Sequence, residues 1–158
     1  MKKRLDINYI KWCIAGSSIF STCSKAQYMA IIVDYNNRIL GTGYNGVPSG
    51  MKHCIDGGCP RSLNNVKSGT PYDYGPGTCY AIHAEANALL HSDRSARNGG
   101  TIYINGAPCF GCAKLISTSG LKRLVFLDNS NNRDDYEQSI NLLTASGIEV
   151  EKIEIDLL

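Results

Sequence analysis

The sequence predicts a layered α/β fold around a mixed five-stranded sheet, and two observations carry this prediction. From residue 101 onward, short apolar runs alternate with segments of helical periodicity in the order strand, helix, strand, helix, strand. This order is typical of parallel strands with helices packed on them. Nearer the N-terminus, two β-prone runs flank Asn36-Asn37, a turn signal that favours an antiparallel hairpin.

The individual elements follow from periodicity and from end signals. A stripe of isoleucines predicts a helix over residues 6–20, with Asp6 as its N-cap. Residues 45–79 are rich in Gly, Pro, Ser and Asn, and a stretch of that length without regular structure needs something to hold it. The other predicted helices are 82–91, 109–119 and 134–146, and the predicted strands are 28–33, 38–44, 101–104, 122–127 and 148–155.

Length and composition restrict the class of protein. The chain has no internal repeat, low-complexity tract or linker, so residues 1–158 are expected to form a single domain. A net charge of +2 gives no support for a nucleic-acid polymer as partner, and the basic residues 1–4 are interpreted as a solvated terminus rather than a nucleic-acid-binding arm. No apolar run has the length of a membrane span, and no signal-peptide core is present. We expect a cytoplasmic protein that binds no membrane.

Seven cysteines therefore need an explanation other than secretion. In a reducing compartment, clustered cysteines favour metal ligands or catalytic groups over disulfides, and an odd number does not suit a simple disulfide framework. Cys13 lies on the apolar stripe of the first helix and is predicted to be a core residue. The other six are Cys23, Cys54, Cys59, Cys79, Cys109 and Cys112.

Two short motifs, His-Ala-Glu and Pro-Cys-Phe-Gly-Cys, each begin a predicted helix. Cys109 and Cys112 are three residues apart, so they share one helical face and can bind one ion. His83 supplies a third ligand, which leaves the fourth position of tetrahedral zinc open to water, as in catalytic sites. Glu85 is then near enough to exchange protons with that water. The predicted site is a catalytic zinc centre.

Each motif alone is weak. A lone Cys-x-x-Cys is more often a redox pair or half of a structural zinc site, and a lone His-x-Glu carries almost no information. Together and in this order they form the signature of the zinc deaminases. A zinc-stabilised binding module without activity is the alternative outside enzymology, and Glu85 argues against it because structural zinc needs no such glutamate.

Three segments carry a family resemblance: Gly-Tyr-Asn-Gly-x-Pro-Ser-Gly at 43–50, His-Ala-Glu-Ala-Asn-Ala at 83–88, and Pro-Cys-x-x-Cys-Ala-Lys-x-Ile at 108–116. Over residues 7–155 the chain resembles the deoxycytidylate (dCMP) deaminase family of the cytidine deaminase superfamily. The resemblance implies a three-layer α/β/α cytidine-deaminase fold and the hydrolysis of dCMP to dUMP and ammonia. Deamination of tRNA adenosine, of a modified dCMP or of a pyrimidine nucleoside is the alternative.

The expected mechanism follows from the ligands. Zinc lowers the pKa of its bound water toward neutrality. Glu85 takes the proton, the hydroxide attacks C4 of the pyrimidine, and Glu85 returns protons to N3 and to the leaving ammonia. The resemblance implies that the backbone amide of Ala84 binds the pyrimidine carbonyl and that Asn45 binds the sugar hydroxyl, although Asn45 also fits a simple turn. Lys25 is the candidate for the phosphate, or else a solvated surface lysine.

One departure concerns the first strand. Relatives usually have Val-Gly-Ala where this chain has Tyr28-Met29-Ala30. A glycine there leaves space beside the nucleotide, so Met29 is expected to fill that space or to displace the backbone.

The remaining thiols predict a second, structural zinc. Cys23, Cys54, Cys59 and Cys79 lie in or beside the long irregular segment, and a closed four-thiolate site would hold it in place. His53 is a possible substitute for one thiol, and unpaired buried cysteines are the alternative. Bacterial and phage relatives carry such a zinc in this region.

The resemblance also implies assembly and regulation. Family members are usually homohexamers that dCTP activates and dTTP inhibits. The effector site in these proteins includes the segment that corresponds to Gly43, Tyr44, Asn45 and Gly46.

Overall fold

The computed structural model describes residues 2–67, 69–129, 136–154 and 156. The helices are α1 Lys2–Phe20, α2 Pro60–Leu63, α3 Ala84–Leu90, α4 Phe110–Ser117 and α5 Tyr136–Ala145, with one 3₁₀ turn at Cys54–Asp56. The strands are β1 Met29–Val33, β2 Ile39–Tyr44, β3 Thr101–Ile104, β4 Arg123–Asp128 and β5 Glu149–Glu154. None of the helices in the described ranges has both the length and the apolarity that a membrane span requires.

The five strands form one mixed sheet in the order β2-β1-β3-β4-β5. β1 runs antiparallel to both of its neighbours, whereas β3, β4 and β5 are parallel. All five residues of β1 are buried, as a central strand covered on both faces requires. The predicted mixed five-stranded α/β fold is confirmed.

Helices cover both faces of the sheet and make the three layers. Ala30 and Ile32 of β1 point to the side of α3, α4 and α5, where they pack with Ala88 and Ile116. The alternate residues of β1 point to α1 and pack against Ile10 and Cys13. Cys13 is fully buried there, which agrees with its prediction as a core residue.

The start of α1 differs from the prediction. Asp6 lies inside the helix rather than at its N-cap, and it is buried because it pairs with Arg123 through two hydrogen bonds of 2.7 and 2.8 Å. Tyr103 donates a third bond to Asp6, at 2.9 Å. Arg123 also contacts Glu149 and Glu151. A buried carboxylate needs such partners, and sequence periodicity does not reveal them.

Contrary to the expectation from the sequence, Met29 does not lie beside the predicted nucleotide site. Its side chain lies on the α1 side of β1, where its sulfur occupies the space that a Cβ at Gly16 would need, 2.1 Å away. The side chain therefore fills a gap over Gly16 and does not enter the face that carries the predicted site. Tyr28, one residue earlier, points to that face instead.

Residues 45–79 contain more regular structure than predicted, namely the 3₁₀ turn and α2. The last helix agrees with its prediction from Tyr136 to Ala145. Asp134 and Asp135, its predicted first residues, and Ile155, the predicted end of the last strand, lie outside the described residues.

Candidate active site

Two helix N-termini bring the predicted catalytic ligands together. His83 is the N-cap of α3 and Cys109 is the N-cap of α4, and both have extended backbone. Cys112 lies in the first turn of α4, where its backbone N–H donates to the sulfur of Cys109 at 3.4 Å. N-cap and first-turn positions face the unpaired N–H groups of the helix, which favour thiolates electrostatically.

The three side chains converge on one point. The Nδ1 atom of His83 lies 3.3 Å from the sulfur of Cys109 and 3.5 Å from the sulfur of Cys112. Within the described ranges, these three are the only group of three or more His, Cys, Asp or Glu residues whose ligand atoms all lie within 4.8 Å of one another. Zinc binds nitrogen at about 2.0 Å and thiolate at about 2.3 Å. One nitrogen and two sulfurs at this spacing fit one zinc ion.

The pKa values of the two thiols are shifted in opposite directions. Hydrogen bonding with Cys112 lowers the pKa of Cys109 strongly, and His83 lowers it further. Hydrogen bonding with Cys109 and burial raise the pKa of Cys112, and the charge of Glu85 adds to this. The two shifts are opposite in direction because the two thiols are hydrogen-bonded to each other.

Glu85 lies in the first turn of α3 and is only 6% exposed. Its carboxylate acts on the thiol of Cys112 both by charge and by a hydrogen bond. It also lines the pocket that contains His83 and Cys109. A buried carboxylate beside a zinc-type donor set, in a pocket, can exchange protons with a ligand bound there.

Asn45 and Ala84 line the same pocket. The Asn45 amide donates to the carbonyl of Ala26 at 2.7 Å, and its oxygen accepts from the backbone N–H of Tyr28 and from Ser21. Asn45 therefore fixes the backbone that leads into β1, and among the described residues only one N–H of its amide donates a hydrogen bond, which leaves the other for a ligand. Both interpretations of Asn45, turn residue and substrate ligand, remain compatible with this geometry.

Lys25 is exposed and stands in the wall of this pocket, in the segment that Asn45 fixes. A lysine there adds positive charge at the pocket entrance. Sequence reasoning missed three other residues of the wall: Tyr28, Arg61 and Tyr72. Tyr28 follows no catalytic motif, and the other two lie in the segment predicted to be irregular.

The four remaining loop cysteines gather at the same pocket. Cys23, Cys54, Cys59 and Cys79 all line it. Cys54 and Cys59 are buried and hydrogen-bonded to each other. Burial raises the pKa of Cys54 to about 11, and the charges of the other three add to the effect. The four thiols are thus neighbours, although among the described residues no three of their sulfur atoms all lie within 4.8 Å of one another.

His53 lies elsewhere. It is exposed and lines a second groove, together with Gly43, Tyr44 and Gly46. The predicted effector segment is therefore divided, because Asn45 points into the first pocket while its neighbours face the second groove. His91 of the α3 C-terminus lines this groove as well.

Gly43 allows β2 to approach α3 closely. A Cβ at this position would lie 2.3 Å from the backbone oxygen of Ala84 and 2.3 Å from the backbone nitrogen of Ala88. Only glycine permits this approach. The glycine therefore positions the first turn of α3, which carries Glu85.

Comparison with known proteins agrees with this geometry. Residues 3–128 match the family model of the cytidine and deoxycytidylate deaminase zinc-binding region. The deoxycytidylate deaminase of Mycobacterium phage D29 is 42% identical over 107 residues, which are 67% of this chain and 81% of the phage protein. The deoxycytidylate deaminase of Schizosaccharomyces pombe is 37% identical over 131 residues, which are 82% of this chain and 38% of the yeast protein.

A solved structure extends the likeness to the fold. The dCMP deaminase from the cyanophage S-TIM5, crystallised in complex with dCMP and dUMP, superposes with a TM-score of 0.69 at 27% identity and covers 97% of this chain and 99% of its own. The family match spans most of the chain and includes both halves of the His/Cys/Cys group. The chain belongs to the zinc-binding cytidine and deoxycytidylate deaminase family.

Proposed function

We propose that this protein catalyses the hydrolytic deamination of dCMP to dUMP and ammonia. The observation that carries the proposal is the pocket in which Glu85 stands beside a His/Cys/Cys group with zinc-type spacing. The relatives named for deoxycytidylate deamination support the choice of substrate.

His83, Cys109 and Cys112 are the ligands that would hold the catalytic zinc. When bound, zinc makes a water molecule acidic enough to serve as the nucleophile near neutral pH. The chain's own contribution is geometric. Two helix N-termini hold all three ligands at this spacing.

Glu85 moves the protons. It takes one from the attacking water and delivers protons to N3 of the pyrimidine and to the leaving ammonia. Burial in the first turn of α3 keeps its carboxylate in one place beside the ligands. The backbone N–H of Ala84 binds the pyrimidine carbonyl, Asn45 the sugar hydroxyl and Lys25 the phosphate.

A second zinc completes the proposal for the metal content. Cys23, Cys54, Cys59 and Cys79 line one wall of the pocket, so a closed site there would hold the long segment against the active centre. The groove around Gly43, Tyr44 and Gly46 is the proposed effector site for dCTP and dTTP, and Asn45, between Tyr44 and Gly46 in the chain, lines the substrate pocket. We further propose one domain over residues 1–158, a homohexamer and a cytoplasmic location.

A substrate panel tests the function. Purified protein is assayed for ammonia release from cytidine, deoxycytidine, CMP, dCMP, dCTP and a tRNA, at equal concentrations. We expect dCMP to give the highest kcat/KM and dUMP to be its product. A tRNA as the only substrate, or deoxycytidine turned over as efficiently as dCMP, would overturn the proposed substrate.

A further inference from the structure

Arg61 is a buried arginine in the wall of the active-site pocket. It belongs to α2, is 4% exposed, and lines the pocket together with Lys25, Tyr72 and Glu85. Guanidinium groups carry a full positive charge in proteins, so a buried one requires compensation.

Its partners are neutral. One terminal nitrogen donates to the carbonyl of Pro71 at 2.8 Å and the other to the carbonyl of Thr70 at 2.9 Å. The guanidinium carbon lies 4.3 Å from the centre of the Tyr72 ring. These contacts use two of five N–H donors, and no carboxylate in the described part of the chain forms an ion pair with Arg61.

The other buried arginine shows what compensation looks like in this protein. Arg123 is 6% exposed and contacts three carboxylates, those of Asp6, Glu149 and Glu151. Arg61 has the same degree of burial without one such partner. Leaving a buried charge unpaired is costly, so an anion is the natural partner of Arg61, either the thiolates of the cysteine cluster in the same pocket or an anion that enters the pocket.

We infer that Arg61 binds the phosphate monoester of the substrate and selects nucleotide over nucleoside. This inference rests on the proposed function and adds to it the buried half of a phosphate site, of which Lys25 is the exposed half. The two carbonyls and the Tyr72 ring hold the guanidinium in a fixed orientation, and a guanidinium presents paired donors that match phosphate oxygens. Cys59 immediately precedes α2, so the cysteine cluster positions this helix.

The test compares two substrates that differ only in the phosphate. We expect Arg61→Gln to lower the ratio of kcat/KM for dCMP to that for deoxycytidine by about 100-fold, as expected for loss of a charge-assisted, paired contact. Arg61→Lys keeps the charge without the fork and should lower the ratio by about 10-fold. Arg38→Gln, an exposed arginine before β2, should leave the ratio unchanged.

Two outcomes would overturn the inference. If Arg61 only braces its loop or balances the thiolates of the cysteine cluster, Arg61→Gln lowers both rates equally, and in the second case lowers the zinc content as well. If Arg61→Gln does not fold, the inhibition of the wild type and of Arg61→Lys by inorganic phosphate tests the inference instead. Inorganic phosphate should inhibit dCMP turnover by the wild type more strongly than by Arg61→Lys, and equal inhibition would overturn the inference. A wild type that prefers deoxycytidine would instead refute the proposed function.

Discussion

Gly16 and Met29 form a complementary pair between α1 and β1. The Met29 side chain is 4% exposed and uses the space that the missing side chain of Gly16 leaves. A flexible thioether suits an irregular gap of this kind. The pair thus belongs to packing on the α1 face of the sheet, whereas the pocket lies on the opposite face.

Replacement of Met29 should therefore affect stability and not catalysis. Met29→Ala removes a buried side chain and should lower the free energy of unfolding by about 2–5 kcal/mol, with kcat/KM for dCMP changed less than about twofold. Denaturant unfolding and steady-state kinetics measure the two effects. Met51→Ala, at a 40% exposed methionine, should cost less than about 0.5 kcal/mol. A raised KM at unchanged stability would show that Met29 reaches the substrate.

Individual residues differ in whether the sequence could predict their positions. The ligands His83, Cys109 and Cys112 could be predicted because the spacing of their motifs is itself the signal. Arg61 could not be predicted, since nothing in its neighbourhood distinguishes a buried arginine from a surface one. The direction of Met29 depended on the strand alternation, which places residue 28, not residue 29, toward the pocket.

Among the elements, the segment over residues 45–79 depends most on tertiary contacts. Its helix α2 has four residues, too few to be stable alone. Arg61 ties α2 to Thr70 and Pro71, and the thiols of Cys54 and Cys59 tie its start to the preceding turn. Such a segment has no periodicity to read, which is why the sequence predicted only an irregular stretch that something must hold.

The cysteine cluster gives this segment a testable support. The double variant Cys54→Ser/Cys59→Ser should reduce the zinc content from about two ions per chain to about one, and it should lower Tm because a structural zinc contributes folding free energy. Metal analysis and thermal unfolding measure both. Cys13→Ala removes a thiol from the core and should leave the zinc content unchanged.

One pair of measurements would contradict the second zinc site. A wild-type content of one zinc per chain, with the thiols of Cys23, Cys54, Cys59 and Cys79 freely titratable in the folded protein, would exclude the second site.

At the scale of the whole molecule, the site lies where the sheet changes from antiparallel to parallel strand pairing. β3 is antiparallel to β1 on one side and parallel to β4 on the other. Cys109 and Cys112 follow the carboxyl end of β3, and His83 begins α3, which packs on β1 and β2. Carboxyl ends of strands at such a junction are the usual place for ligand sites in α/β sheets.

The layered architecture was predictable because strand and helix signals alternate clearly in the last third of the chain. The order β2-β1-β3 could not be read from periodicity, since it needs the pairing of β1 with a strand about 70 residues later in the chain. The buried cluster of Asp6 and Arg123 was hidden for the same reason, as its members are 117 residues apart. Local patterns could be predicted from the sequence, whereas contacts between residues far apart in the chain could not.

The proposed deamination depends most directly on Glu85 as the proton carrier at a zinc site. The decisive measurement is the rate of dUMP formation from dCMP by Glu85→Gln and by the wild type, with the zinc content of both. Glutamine keeps the shape but cannot take up and deliver the proton, so we expect the rate to fall by about 10³-fold with the zinc content unchanged. A variant that keeps more than about a tenth of the wild-type rate, on the same scale for loss of a general acid–base, or that loses its catalytic zinc, would contradict this role for Glu85.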